Sequence, residues 1–208
     1  MKDLIILAAD SQMRAATEKL LMREPALGIL TPSFEIFVHP ERDAGVFGKC
    51  QDFLRPFQRL YRFALVMFDR DGCGSKESAR QIQQIVKERL DQAGWNERNQ
   101  VVVLDPELEI WVWADSPNVS RSLGLSEKQL KEILSHYERD ENLKPKDPKA
   151  AMEDALKKSH LRRSAAIYAN LASTVTLKNC RDRSFSDFKS ALVKWFGRPP
   201  MSLIEQSK

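Results

Sequence analysis

Four apolar runs mark the first half of the chain, and each predicts a strand that is buried on both faces. The runs cover residues 4–9, 34–38, 63–68 and 101–104. Runs with few polar positions are typical of strands in a parallel sheet. Apolar residues recur at helical spacing in the segments between them, at 11–24, 53–61 and 75–94. The resulting alternation of strands and helices predicts an α/β fold with a mainly parallel sheet flanked by helices.

The second half of the chain shows no further strand pattern after Ser116. Helical spacing is present at 126–139, 148–172 and 184–196, and Asn142 to Pro148, with two prolines, is predicted to be a linker. We therefore expect an α/β domain at residues 1–141 and a helical C-terminal extension at 142–208 that packs on it. Two shorter segments complete the prediction: residues 41–50 as a loop, and 107–114 as the start of a helix after Asp105-Pro106.

Composition narrows the class of protein. The chain has 208 residues, of which 42% are hydrophobic and 30% charged, as in an ordinary globular domain. The apolar run at 4–9 is too short for a signal peptide, and no stretch approaches the roughly 20 apolar residues of a membrane span. We expect a cytoplasmic protein without membrane association. Three widely spaced cysteines predict neither a disulfide framework nor a zinc site.

Charge is distributed unevenly along the chain. Residues 1–141 hold 19 basic and 23 acidic side chains, a net of −4, whereas residues 142–208 hold 14 and 6, a net of +8. A basic C-terminal part suggests nucleic acid as a partner, because phosphate contacts give affinity without sequence specificity. Alternatively, this surface is simply solvated or docks on the acidic half. The residues predicted to bind nucleic acid are Lys157, Lys158, Arg162 and Arg163.

Carboxylates follow two of the predicted strands. Asp10 comes after the first strand, and Asp69 and Asp71 come after the third. Ligands of parallel sheets bind beyond the carboxyl ends of the strands, and Mg²⁺ prefers one or two carboxylates plus water and phosphate oxygens. The pattern predicts that these three aspartates converge on a divalent metal, Mg²⁺ or Mn²⁺. The alternative for Asp69 to Gly72 is a polar turn, since Asp and Gly favour turns.

Two further segments carry a resemblance to a known family. Residues 106–115 resemble the E-x-W signature of an uncharacterised Toprim-like group that includes RloB-related prokaryotic defence proteins, and residues 181–188 resemble its Ser-Phe stretch. The resemblance implies a Toprim-like fold in which Asp69 and Asp71 form the metal-binding D-x-D, and Glu109 matches the acid before the tryptophan. Asp10 stands where the family usually has glutamate followed by glycine, so the chain departs from the family there.

The resemblance and the carboxylate pattern lead to one leading hypothesis. It is a Mg²⁺-dependent Toprim-like phosphodiester hydrolase, or the nuclease subunit of an anti-phage defence system, with Asp10, Asp69, Asp71 and Glu109 as catalytic residues. The departure at Asp10-Ser11 favours an alternative, a non-catalytic subunit that binds nucleic acid or other subunits of a defence complex. A small-molecule phosphotransferase is disfavoured, because the chain has no Gly-rich phosphate loop. DNA, RNA and nucleotide substrates remain open.

Overall fold

The computed structural model describes residues 1–113, 116–176 and 180–198 of the chain. A four-stranded sheet forms its centre, with all strands parallel and in the order β2-β1-β3-β4. The strands are β1 (Lys2–Ala8), β2 (Phe34–Val38), β3 (Tyr61–Asp69) and β4 (Asn99–Leu104). The predicted α/β fold with a mainly parallel sheet is therefore confirmed.

Nine α-helices surround this sheet in the described part of the chain. They are α1 (Ser11–Leu21), α2 (Glu24–Leu27), α3 (Arg42–Leu54), α4 (Ala79–Leu90), α5 (Pro117–Ser122), α6 (Glu127–Ser135), α7 (Pro148–Lys158), α8 (Ala165–Thr174) and α9 (Arg183–Phe196). Local signals fix several ends. Ser78, for example, caps α4 and forms a capping box with Gln81. The helix therefore begins later than the helical spacing from residue 75 predicts.

Helices cover both faces of the sheet. Successive side chains of a strand point to opposite faces, so Phe63 and Phe68 of β3 face different layers. Phe68 contacts Phe47 of α3 at 6.3 Å between ring centroids, and Phe63 stacks on Trp195 of α9 at 4.7 Å. Helices α3 and α9 therefore lie on opposite faces, and the C-terminal helix belongs to the same core as the strands.

Several segments differ from the sequence prediction. The expected helical segment at 53–61 consists of the end of α3, a 3₁₀ turn at Arg55–Phe57 and the start of β3 at Tyr61. The expected loop at 41–50 lies within α3, because Gly48 is tolerated on its exposed side and Gly45 lets His39 approach closely. The expected helix at 107–114 is only a 3₁₀ turn, Leu108–Trp111, and Ala114 and Asp115 lie outside the described residues. The expected helix at 148–172 is broken into α7 and α8 by residues 159–164.

The predicted linker is anchored rather than free. Lys144 is buried, and its Nζ donates to the carbonyl oxygen of Ile110 at 2.6 Å. Arg139 and Pro145 form an isolated antiparallel bridge. Because these contacts tie the segment to the α/β part, residues 142–148 connect two parts that share one packed body.

A membrane-spanning helix is not found among the described residues, since none of their helices is both long and apolar enough.

Candidate acidic site at the carboxyl edge of the sheet

Two of the predicted aspartates lie at the same edge of the sheet. β1 and β3 are parallel neighbours, with Ala8 opposite Met67, so Asp10 and Asp69 follow the register to the same edge. A third carboxylate, Asp43 in the first turn of α3, joins them, because its Oδ1 accepts a hydrogen bond from the backbone N–H of Asp69 at 2.8 Å. The carboxyl edge therefore gathers carboxylates from β1, β3 and α3.

Asp69 carries the most strongly perturbed charge of this group. Its Oδ1 atom is fully covered and has no hydrogen-bond partner among the described residues, although the residue as a whole is only half-buried. Burial raises the pKa of Asp69 well above its ordinary value, and the negative charges of Asp43, Glu109, Asp10 and Glu107 raise it further. No basic side chain in the described part of the chain compensates the charge of Asp69.

Asp43 was missed by sequence reasoning because the segment around it was read as a loop. Burial raises the pKa of its carboxyl group as well. A Cβ atom at position 72 would lie only 2.6 Å from Asp43 Oδ2, so a glycine is needed there for the carboxylate to fit. The glycine after Asp69-Arg70-Asp71 was therefore a signal for a close neighbour, but it could not say which residue approaches.

Asp10 has a structural task at this edge. Its Oδ1 accepts from the backbone N–H of Met13 at 2.8 Å and so caps α1. A capping carboxylate still has a second oxygen. Asp10 can therefore contribute negative charge to the site while it fixes the start of the helix that follows β1.

Asp71 is exposed, and its carboxylate pairs with the side chain of Arg70. Its Oδ1 accepts from Arg70 Nη2 at 3.0 Å, and Arg70 Nε lies 3.2 Å from Asp105 Oδ1. Asp71 is not among the charges with the largest effect on the pKa of Asp69. In this structure the two acids of the D-x-D segment therefore have different surroundings, and Asp43 is the direct neighbour of Asp69.

Glu109 lies in the 3₁₀ turn Leu108–Trp111 and is fully buried, with 0% exposure. Its Oε1 accepts from Arg163 Nη2 and from the hydroxyl of Tyr168. Its Oε2 is covered and has no hydrogen-bond partner among the described residues. Glu107, nearby in sequence, pairs with Lys149 at 2.7 Å. Both glutamates thus receive a cation from the C-terminal part of the chain.

The predicted nucleic-acid surface is divided by these contacts. Lys157 and Lys158 end α7 and are exposed, and Arg162 is exposed in the loop that follows. Arg163 turns inward, where it pairs with Glu109 and with Glu153. Three of the four predicted residues therefore remain on one exposed surface, whereas Arg163 belongs to the acidic site.

The acidic edge offers few carboxylates to a divalent metal. No group of three or more His, Cys, Asp or Glu side chains in residues 1–113, 116–176 and 180–198 is arranged to hold an ion. Mg²⁺ needs fewer protein ligands than that, because it keeps several waters and binds through one or two carboxylates. The covered Oδ1 of Asp69 and the neighbouring carboxylate of Asp43 meet this smaller requirement.

Comparisons with other proteins add no assignment. A scan against protein-family models, a search of curated proteins and a search of solved structures each found no match for this chain. The candidate function therefore has to be argued from the acidic edge itself.

Proposed function

We propose that the protein is a divalent-metal-dependent phosphodiester hydrolase of the Toprim-like class, acting as a nuclease or nuclease subunit in anti-phage defence. The observation that carries the proposal is the covered Oδ1 atom of Asp69, which lacks a partner among the described residues, in a residue whose backbone N–H contacts the carboxylate of Asp43. A buried charge without a partner is costly, and a bound cation would remove that cost.

The proposed roles follow from the surroundings of each residue. Asp69 and Asp43 would hold Mg²⁺ or Mn²⁺, and Asp10 would add negative charge from the neighbouring strand. The metal would supply an activated water and stabilise charge on the phosphate. Arg70 holds Asp71 and lies at the exposed rim, where Asp71 can accept a proton or a water-mediated contact. Glu109 would act from the buried side of the site.

The substrate proposed for this site is nucleic acid. Lys157, Lys158 and Arg162 give an exposed basic surface that suits a phosphate backbone. The proposal places the protein in the cytoplasm, where cysteines such as the buried Cys50 and Cys73 stay reduced.

Calorimetric titration of Mg²⁺ and Mn²⁺ into the purified protein tests the metal site. We expect weak binding by the wild type and none by Asp69→Asn, because the substitution removes the charge that the ion would compensate. Asp71→Asn is the matched control, since it removes one charge from the same segment at an exposed position. Equal binding by wild type and Asp69→Asn would show that the ions act elsewhere, and Asp69 to Gly72 would then be a polar turn.

A hydrolysis assay separates catalysis from binding. Labelled single-stranded DNA, single-stranded RNA and duplex DNA are incubated with the wild type and with Asp69→Asn, with Mn²⁺ or with EDTA. We expect slow cleavage that requires both the metal and Asp69. Cleavage that persists in EDTA or in Asp69→Asn would contradict the proposal.

A second candidate is a non-catalytic subunit that binds nucleic acid or partner proteins of a defence complex. It is favoured by the engagement of Asp10 in capping α1 and by the pairing of Asp71 with Arg70, which leave few carboxylates for a metal. This candidate predicts nucleic-acid binding that is the same with Mn²⁺ and with EDTA, and no cleavage under either condition.

A further inference from the structure

The side chain of Glu109 is held by two residues from the C-terminal part of the chain. Its Oε1 accepts hydrogen bonds from Arg163 and from Tyr168, which are 54 and 59 residues away in sequence. Tyr168 is only 2% exposed, and its hydroxyl bonds to a carboxylate that is itself fully buried. These three side chains form one hydrogen-bonded unit, which we call the Glu109 clamp.

The guanidinium of Arg163 satisfies several groups of the clamp at once. Nη2 pairs with Glu109, Nη1 lies 3.0 Å from Glu153 Oε1, and the guanidinium carbon is 5.5 Å from the centre of the Tyr168 ring. Burial alone would lower the pKa of Arg163, yet the nearby charge of Glu109 helps to raise it. A planar fork suits this geometry, and a lysine ammonium cannot reproduce it.

The clamp determines which carboxylate oxygen of Glu109 is hydrogen-bonded and which is not, among the described residues. Because both donors bond to Oε1, Oε2 has no partner among the described residues. The turn that bears Glu109 follows β4, whose last residue, Leu104, lies opposite Asp69 in the register of the sheet. Glu109 therefore lies at the same edge as Asp69, and its negative charge helps to raise the pKa of Asp69.

We propose that Arg163 and Tyr168 are positioning residues, which hold the carboxylate of Glu109 at the acidic edge and thereby set the affinity of Asp69 for a divalent metal. The proposal rests on the proposed metal site. Groups that orient and polarise a ligand from outside typically change metal affinity about 10- to 100-fold when they are altered. In this arrangement the C-terminal part completes the site, in addition to any contact it makes with nucleic acid.

A purely structural role of the clamp makes a different prediction, and the chain offers a matched control for it. Trp113 also joins the α/β part to the C-terminal part, because its buried Nε1 donates to the carbonyl oxygen of Pro148 at 2.8 Å. Trp113→Phe removes one buried hydrogen bond between the same two parts without touching Glu109. Tyr168→Phe removes only one hydroxyl from the clamp, so Trp113→Phe, which also loses part of a buried ring, is the larger change in packing.

The experiment measures Mn²⁺ affinity by calorimetry for the full-length wild type, Arg163→Lys, Tyr168→Phe and Trp113→Phe. Melting curves in EDTA show that each variant is folded at the titration temperature. We expect the Kd for Mn²⁺ to rise about 10-fold or more in Arg163→Lys and Tyr168→Phe, and to stay within about 2-fold of wild type in Trp113→Phe. Tyr168→Phe keeps the test decisive if Arg163→Lys fails to fold.

The outcomes separate the two proposals. Unchanged Mn²⁺ affinity in a folded Tyr168→Phe, with clear binding by the wild type, overturns the positioning role and leaves the metal site intact. An equal loss of affinity in Trp113→Phe also overturns it, because the effect would then follow from packing alone. A wild type that binds no Mn²⁺ overturns both the metal site and the positioning role.

Discussion

The covered Oδ1 atom of Asp69, which has no hydrogen-bond partner among the described residues, predicts that Asp69→Asn stabilises the metal-free protein at neutral pH. Asn has nearly the same shape, so the backbone hydrogen bond to Asp43 is retained. Its amide can donate to the surrounding acids, which the carboxylate of Asp69 cannot do. The substitution therefore removes a buried charge and adds a donor where only acceptors are present.

The size of the effect follows from the covered Oδ1 atom. A buried polar atom without a hydrogen-bond partner costs about 1–3 kcal/mol, and we expect Asp69→Asn to recover a gain of this order. For a chain of this length, about 1 kcal/mol shifts the melting temperature by roughly 2–4 °C. Thermal melting at pH 7 in EDTA is therefore sensitive enough to measure the gain.

The pH dependence supplies an independent check of the cause. The folded pKa of Asp69 is raised above its ordinary value of 3.8, so the folded protein binds this proton more tightly than the unfolded chain. The resulting destabilisation is complete above the folded pKa and disappears as the pH falls below the unfolded value. The stability difference between Asp69→Asn and wild type should therefore be larger at neutral pH than at pH 4.

The control for this experiment is Asp71→Asn, which removes an exposed charge that pairs with Arg70. Exposed pairs contribute little, so we expect a change within about 0.5 kcal/mol at either pH. An Asp69→Asn variant that is less stable than wild type at pH 7, or a gain that is the same at pH 4, would refute the argument that charge burial causes the effect.

Two other substitutions follow from close contacts and exposed charge. Gly72→Ala should destabilise the protein by about 1–3 kcal/mol in chemical unfolding, because the new Cβ atom would lie 2.6 Å from an Asp43 oxygen. Gly48→Ala in α3 should stabilise the protein by about 0.5–1 kcal/mol, because no atom lies within 4 Å of the new Cβ atom and alanine favours a helix over glycine. Replacing Lys157, Lys158 and Arg162 with glutamine should lower the salt dependence of single-stranded DNA binding by about two units of log–log slope in fluorescence anisotropy; an unchanged slope would rule out this surface.

The strands and the sheet edge that bears Asp10 and Asp69 could be predicted from the sequence, because their signals lie in short segments of the chain. Apolar runs report burial on both faces of a strand, and parallel neighbours bring their carboxyl ends to one edge. Asp43 could not be found in the same way. Its helix begins at Arg42, whose φ of 51° is unusual for a non-glycine residue, and it contains two glycines that suggested a loop.

The Glu109 clamp could not be predicted from local sequence patterns, for a different reason. Arg163 is one of several basic residues near the end of α7, and no spacing rule distinguishes the one that turns inward. Its partner lies 54 residues earlier, so the pairing depends on how the C-terminal part packs. Arg163 was for this reason assigned to a nucleic-acid surface together with its exposed neighbours.

The same packing changes the meaning of the charge asymmetry between the two halves of the chain. The excess of positive charge after residue 142 was read as a sign of a polyanionic partner, with docking on the acidic half as the alternative. Four ion pairs among the described residues join a basic side chain after residue 142 to an acid before it: Lys146–Glu138, Lys149–Glu107, Arg163–Glu109 and Arg198–Glu24. Part of the asymmetry is therefore compensated within the protein.

These ion pairs restrict where a phosphate backbone can bind, because the paired basic side chains already contact an acid. Lys149 and Arg163 are both engaged by glutamates, Glu107 and Glu109. Lys157 and Lys158 are exposed at the end of α7 and keep their charge available to an external anion. A nucleic acid would therefore be held by the exposed surface and reach the acidic edge only where a cation offsets the repulsion between phosphate and carboxylate. For this reason metal binding and nucleic-acid binding should be coupled at the acidic edge and independent at the exposed surface.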